Sequence, residues 1–151
     1  MLEKHLLVRK LLTDVFNELG VPTVQSTPDP DIAWTMFCQF HVDIIMSDWT
    51  PDLDGMAFLE KVRQDLDSPN PFVPVIVCTA NTEYKHVCTA RDKGTTEFLA
   101  KPVSAKTIYS RICSIIENHR PFVRVANFFG PDRRRHSDDD YGGTNRRQHA
   151  A

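Results

Sequence analysis

A chain of 151 residues, 41% hydrophobic and 25% charged, has room for one ordinary globular domain and a modest extension. No apolar run approaches the roughly 18 residues of a membrane span, and MLEKHLLVRK lacks the apolar stretch and cleavage site of a secretory leader. The net charge of -2 is uneven, with -5 on residues 1–119 and +3 on residues 120–151, which suits body and tail to different partners.

Leu7, Val8, Leu11, Leu12, Val15, Phe16 and Leu19 recur at helical spacing, and Gly20 stops a helix over about 5–19. PTVQST (22–27) has the length and composition of a short strand. Asp29, Pro30 and Asp31 open a helix carrying Ile32, Ala33, Met36, Phe37 and Phe40. VDIIMS (42–47) is a continuous apolar strand, and Asp54 caps a helix bearing Met56, Phe58, Leu59 and Val62. VPVIVCTA (73–80) is β-branched throughout, as in a strand covered on both faces. A helix over about 82–92 ends at Gly94, EFLAK (97–101) is the next strand, and about 104–119 is the last helix. Alternating strands and helices with short connections predict an α/β fold, a doubly wound parallel sheet. Cys38, Cys78, Cys88 and Cys113 form no CxxC pair or closely spaced Cys/His set, which predicts reduced thiols and a cytoplasmic location.

In such sheets chemistry collects at the strands' carboxyl ends, where this reading puts Asp48, Thr79 and Lys101. A carboxylate, a hydroxyl and an ammonium in one crevice suit phosphoryl transfer: the carboxylate accepts the group, and the others contact its oxygens beside a divalent cation. Singly, each has a plainer role, as turn residue, helix cap or solvated charge. An EF-hand frame ending at Gly55 needs an acid at Thr50 and a glutamate at Lys61, and a P-loop, a GxSxG elbow and HExxH are all missing.

From about Leu6 to His119 the chain closely resembles the CheY-like receiver domain of two-component response regulators, a flavodoxin-like (βα)5 fold. Asp48 in IIMSDW falls on the phosphoacceptor, Thr79 in VIVCTAN on the switch hydroxyl and Lys101 in FLAKP on the phosphate-contacting lysine. Phe98 matches the aromatic switch and Ala80 the small residue after the threonine. The resemblance implies a cis Lys101–Pro102 peptide, Mg²⁺ bound by Asp48, the Thr50 carbonyl and Glu3, and a non-enzymatic signalling protein with at most self-catalysed phosphorylation and dephosphorylation. It implies a sensor histidine kinase or phosphotransfer protein as donor, and a downstream protein target met through the fourth helix, fifth strand and fifth helix. There Thr79 moves toward the phosphate and Phe98 turns inward.

Two departures from the family stand out. DWTPDLDG is one residue shorter before its glycine. The acidic pair that binds the cation falls on Glu3 and Lys4, and the strand before it is missing, since only Met1 and Leu2 remain. Lys4 is expected to pair with Asp48 and oppose a cation. The missing strand lies inside the family's sheet, so either the reading frame starts upstream, the sheet re-forms around four strands or through a partner chain, or the product folds poorly.

After Pro121, FVRVANFFGPDRRRHSDDDYGGTNRRQHA lacks apolar periodicity, and residues 120–151 read as an irregular, extended tail. Arg133, Arg134 and Arg135 lie near Phe128, Phe129 and Tyr141, and Arg135-His136-Ser137-Asp138 is an RxxD pattern. This is similar to the Cle group of CheY-like cyclic di-GMP effectors, which act on flagellar motors, and implies a cyclic di-GMP site using Arg133, Arg134, Arg135 and Asp138. DNA is not an expected partner, because the small positive charge is interrupted by Asp138, Asp139 and Asp140.

Overall fold

The apolar periods resolve, in the computed structural model, into five helices and five short strands among the described residues 1–50, 52–125 and 128–133. The helices are α1 (Leu6–Glu18), α2 (Pro30–Gln39), α3 (Gly55–Gln64), α4 (Tyr84–Asp92) and α5 (Ala105–Glu117). The strands are β1 (Ile45–Asp48), β2 (Val75–Thr79), β3 (Glu97–Ala100), β4 (Phe122–Val125) and β5 (Phe128–Pro131). Asp29 and Asp54 cap α2 and α3, each accepting from two backbone N–H groups that the helix leaves unpaired, and Ser104 and Thr107 form a capping box on α5.

β1, β2 and β3 form a parallel sheet in that order, with Ile45 opposite Val75 and Thr79 opposite Ala100. Alternation along β2 sends Val75 and Val77 to one face, against Phe37, Phe58, Leu59 and Ala90, and Ile76 and Cys78 to the other, against Leu12, Phe16, Leu99 and Ile108. Both faces are covered, as the doubly wound reading requires.

Two expectations need correction. PTVQST forms no strand: only Thr27 bridges, and its partner is Leu2. Leu2 also bridges Ser47 in parallel, so residues 1–3 occupy the end of a sheet position between Thr27 and β1. Leu2 N–H donates to the Met46 carbonyl at 2.8 Å, and Asp48 N–H to that of Leu2 at 2.8 Å. A ladder needs a partner along its length, and three residues support bridges but no strand at 22–27. An apolar cavity of about 610 Å³, lined by residues including Val21, Val24, Phe37, Ile44 and Phe58, occupies the rest of that position.

The tail also differs. β4 and β5 pair as an antiparallel hairpin whose Phe128 and Phe129 are buried. Phe122 and Phe129 cluster with Phe72, and the buried Arg63 guanidinium lies over Phe122. Arg63 donates to the carbonyls of Pro71 and Val73 in the α3–β2 loop and of Gly94 in the α4–β3 loop, joining two loops, and burial pushes its pKa down to about 9. Gly130 packs on Gly94, whose φ is +90°. The aromatic rings and the glycine contact dock a short segment that shows no regular apolar period.

Candidate functional site

Parallel pairing brings the ends of β1, β2 and β3 to one edge, and Lys101 N–H donates to the Thr79 carbonyl at 2.8 Å just past β3. Asp48, Thr79 and Lys101 therefore meet there, as the strand assignments predict, and the Lys101–Pro102 peptide is cis. Gly55 allows α3 to start against β1, because a Cβ there would collide with the Asp48 carbonyl and sit 2.7 Å from Ser47 Oγ.

Lys101 Nζ lies 2.7 Å from Asp48 Oδ1 and 2.7 Å from Glu3 Oε2, one ammonium between two buried carboxylates. Glu3 Oε1 accepts from His5 N–H at 2.9 Å. Asp48 Oδ2 is buried and has no hydrogen-bond partner among the described residues. Burial raises the Asp48 pKa above its ordinary value; Lys101 opposes that shift, but Lys101 is shared with Glu3, whose own charge adds to it. For Lys101, burial works downward, and the two carboxylates outweigh it and hold the ammonium above its usual range.

Thr79 is buried, and its Oγ1 accepts from Asn81 N–H at 3.1 Å, which leaves the hydroxyl proton free to donate elsewhere. Phe98 is half-buried against the core face of β2. Lys4 does not reach Asp48: it pairs with Asp52 at 3.4 Å on the surface, because the extended path of residues 1–3 buries Glu3 and leaves Lys4 outward. The Thr50 carbonyl accepts from Leu53 N–H at 3.1 Å. The Trp49 and His86 rings meet at a tilt of 51° with centroids 5.2 Å apart, a pairing whose only trace in the sequence was an aromatic directly after Asp48.

Magnesium commonly uses one or two carboxylates and completes its shell with water and phosphate oxygens. Glu3 and the unpartnered Asp48 Oδ2 meet that minimum, although no group of three His, Cys, Asp or Glu suited to a metal exists among the described residues. In the tail, Arg133 pairs with Asp92 at 3.2 Å and lies 4.2 Å from the Phe128 ring centroid. Arg134, Arg135 and Asp138 lie outside the described residues. Among the described residues no helix is long and apolar enough to cross a membrane.

Comparison with known proteins agrees with this fold. Chemotaxis protein CheY-3 of Vibrio cholerae is 24% identical over 111 residues, covering 73% of this chain and 84% of that protein. CheY4 of Vibrio cholerae superimposes with a TM-score of 0.66 at 21% identity, over 74% of this chain and 91% of that one. The receiver domain of sensor histidine kinase PA1611 from Pseudomonas aeruginosa PAO1, described with a magnesium ion coordinated in its active-site cleft, gives 0.66 at 22% identity over 78% and 94%. The response regulator receiver domain matches residues 1–113, and the chain belongs to that family.

Proposed function

We propose that this chain is a phosphoacceptor of two-component signalling, which takes a phosphoryl group on Asp48 and signals by protein contact. The observation that carries this is Asp48 Oδ2, a buried carboxylate oxygen with no hydrogen-bond partner, beside an ammonium that stays charged. Oδ2 attacks the donor phosphorus, the bond to the donor's leaving atom breaks, and an aspartyl phosphate remains. Lys101 Nζ and the Thr79 hydroxyl are placed to contact the oxygens of the new group. Glu3 and Asp48, with the Thr50 carbonyl, would hold Mg²⁺; bound there, it supplies charge that offsets the phosphoryl oxygens. The donor is a sensor histidine kinase or phosphotransfer protein. The target, a flagellar motor among the candidates, meets the face formed by α4, β3 and α5, where Phe98 follows Thr79. Residues 1–119 act as the receiver unit. Incubation with acetyl phosphate and Mg²⁺ is expected to add one phosphoryl mass to the wild type and none to Asp48→Asn. An unchanged wild-type mass, or equal labelling of the variant, removes the proposal.

A second reading, cyclic di-GMP bound by the tail, is supported by the stacking of Arg133 on Phe128. Calorimetry on the full chain tests it: heat is expected with wild type and a weaker signal with Arg133→Gln. Titration without heat removes it.

A further inference from the structure

Four arginines from four segments converge on one cleft of about 310 Å³: Arg91 of α4, Arg111 of α5, Arg120 before the hairpin and Arg133 after it. Phe98, Val87 and Pro131 form its apolar wall. Among the described residues, the carboxylates of Asp92 and Glu97 engage these four cations. Asp92 pairs with Arg91 at 3.1 Å and Arg133 at 3.2 Å; Glu97, buried beneath, pairs with Arg111 at 3.5 Å and Arg120 at 4.0 Å. Each acid is thus shared by two guanidiniums, and among the described residues that line the cleft arginines outnumber carboxylates. The hairpin is essential to this arrangement, because Arg120, Pro131 and Arg133 all belong to the segment that Phe122, Phe128 and Phe129 dock on the body.

We infer that this composite cleft binds an acidic peptide segment of a partner protein, with clustered carboxylates on the arginine forks and an apolar side chain against Phe98, Val87 and Pro131. Carboxylates are favoured over other anions because Asp92 and Glu97 already engage these same guanidiniums, and the apolar wall suits a neighbouring side chain. The inference gives a chemistry to the face proposed as the contact surface, and it rests on that reading for its biological setting. Peptide binding is measured here without phosphorylation, so either can fail alone.

The test is fluorescence anisotropy at low salt with a labelled Asp-Asp-Asp-Leu peptide and its Asn-Asn-Asn-Leu counterpart. Full-length wild type and an Asp138→Asn/Asp139→Asn/Asp140→Asn chain are both titrated, because the chain's own aspartates are a competing source of the same chemistry. Saturable binding of the aspartate peptide is expected in at least the triple variant. Adding Arg91→Gln and Arg111→Gln is expected to weaken it roughly tenfold or more. Adding Lys85→Gln and Lys106→Gln instead, on exposed positions of the same helices outside the cleft, should change it by less than about threefold. Binding absent from both chains, equal weakening by the lysine and arginine pairs, or binding of pyrophosphate with none of the peptide, would overturn the inference.

Discussion

Lys101 neutralises two acids with one ammonium, and the shortfall falls on Asp48. A carboxyl whose folded pKa is raised binds its proton more readily in the native state than in the unfolded chain. Its ionisation therefore costs stability, and the cost grows as pH rises from the ordinary aspartate value of 3.8 through the folded pKa. Asp48→Asn removes that charge while Lys101 keeps Glu3 as its partner. The variant is expected to be more stable than wild type near neutrality, on the order of 1 kcal/mol, with the gap closing toward pH 4. Urea midpoints across that range would show it, and a gap that widens on acidification would contradict the assigned sign. Asp48, Thr79 and Lys101 were legible in the sequence because each ends an apolar run, and parallel strands bring such ends together. Lys4 was not: the family resemblance placed it beside Asp48, whereas the side-chain alternation of extended residues sends it outward to Asp52.

The hairpin is the element that composition concealed. Residues 122–131 are rich in apolar positions but too short and interrupted to show a sustained period, and their burial depends on Phe72 and Arg63, which are remote in sequence. Arg63 itself interrupts the apolar face of α3, and its acceptors are three carbonyls of two separate loops, which no local pattern announces. The 22–27 segment failed in the opposite way, having strand-like composition without a full-length ladder partner. Gly130 offers the direct test of docking. A Cβ there would stand 2.6 Å from Gly94 Cα and 3.0 Å from Phe128 Cζ, and neither the backbone nor the buried ring has space to retreat. Gly130→Ala is expected to cost ~1–3 kcal/mol and to speed hydrogen exchange in β4 and β5, with the parallel sheet unaffected. Wild-type exchange in the hairpin would mean that the Gly94 contact does not hold it.

Across the whole molecule, the doubly wound architecture was readable from alternating helix and strand signals, and the family comparison agrees with it. The depth of the first sheet position was not, because three residues carry too little pattern to show whether they pair. Those residues do pair, and the result reaches beyond packing. The Glu3–Lys101 contact spans 98 positions of sequence, so it depends on closing nearly the whole receiver into a single loop. Such a closure carries a large entropic cost and rewards the chain only when the intervening sheet is assembled. Helices and the hairpin can form from nearer neighbours, but the charge arrangement around Asp48 cannot. If Asp48 accepts a phosphoryl group as proposed, that competence is tied to one of the least local contacts of the fold, and a nascent or partly opened chain would not present a finished site to its donor.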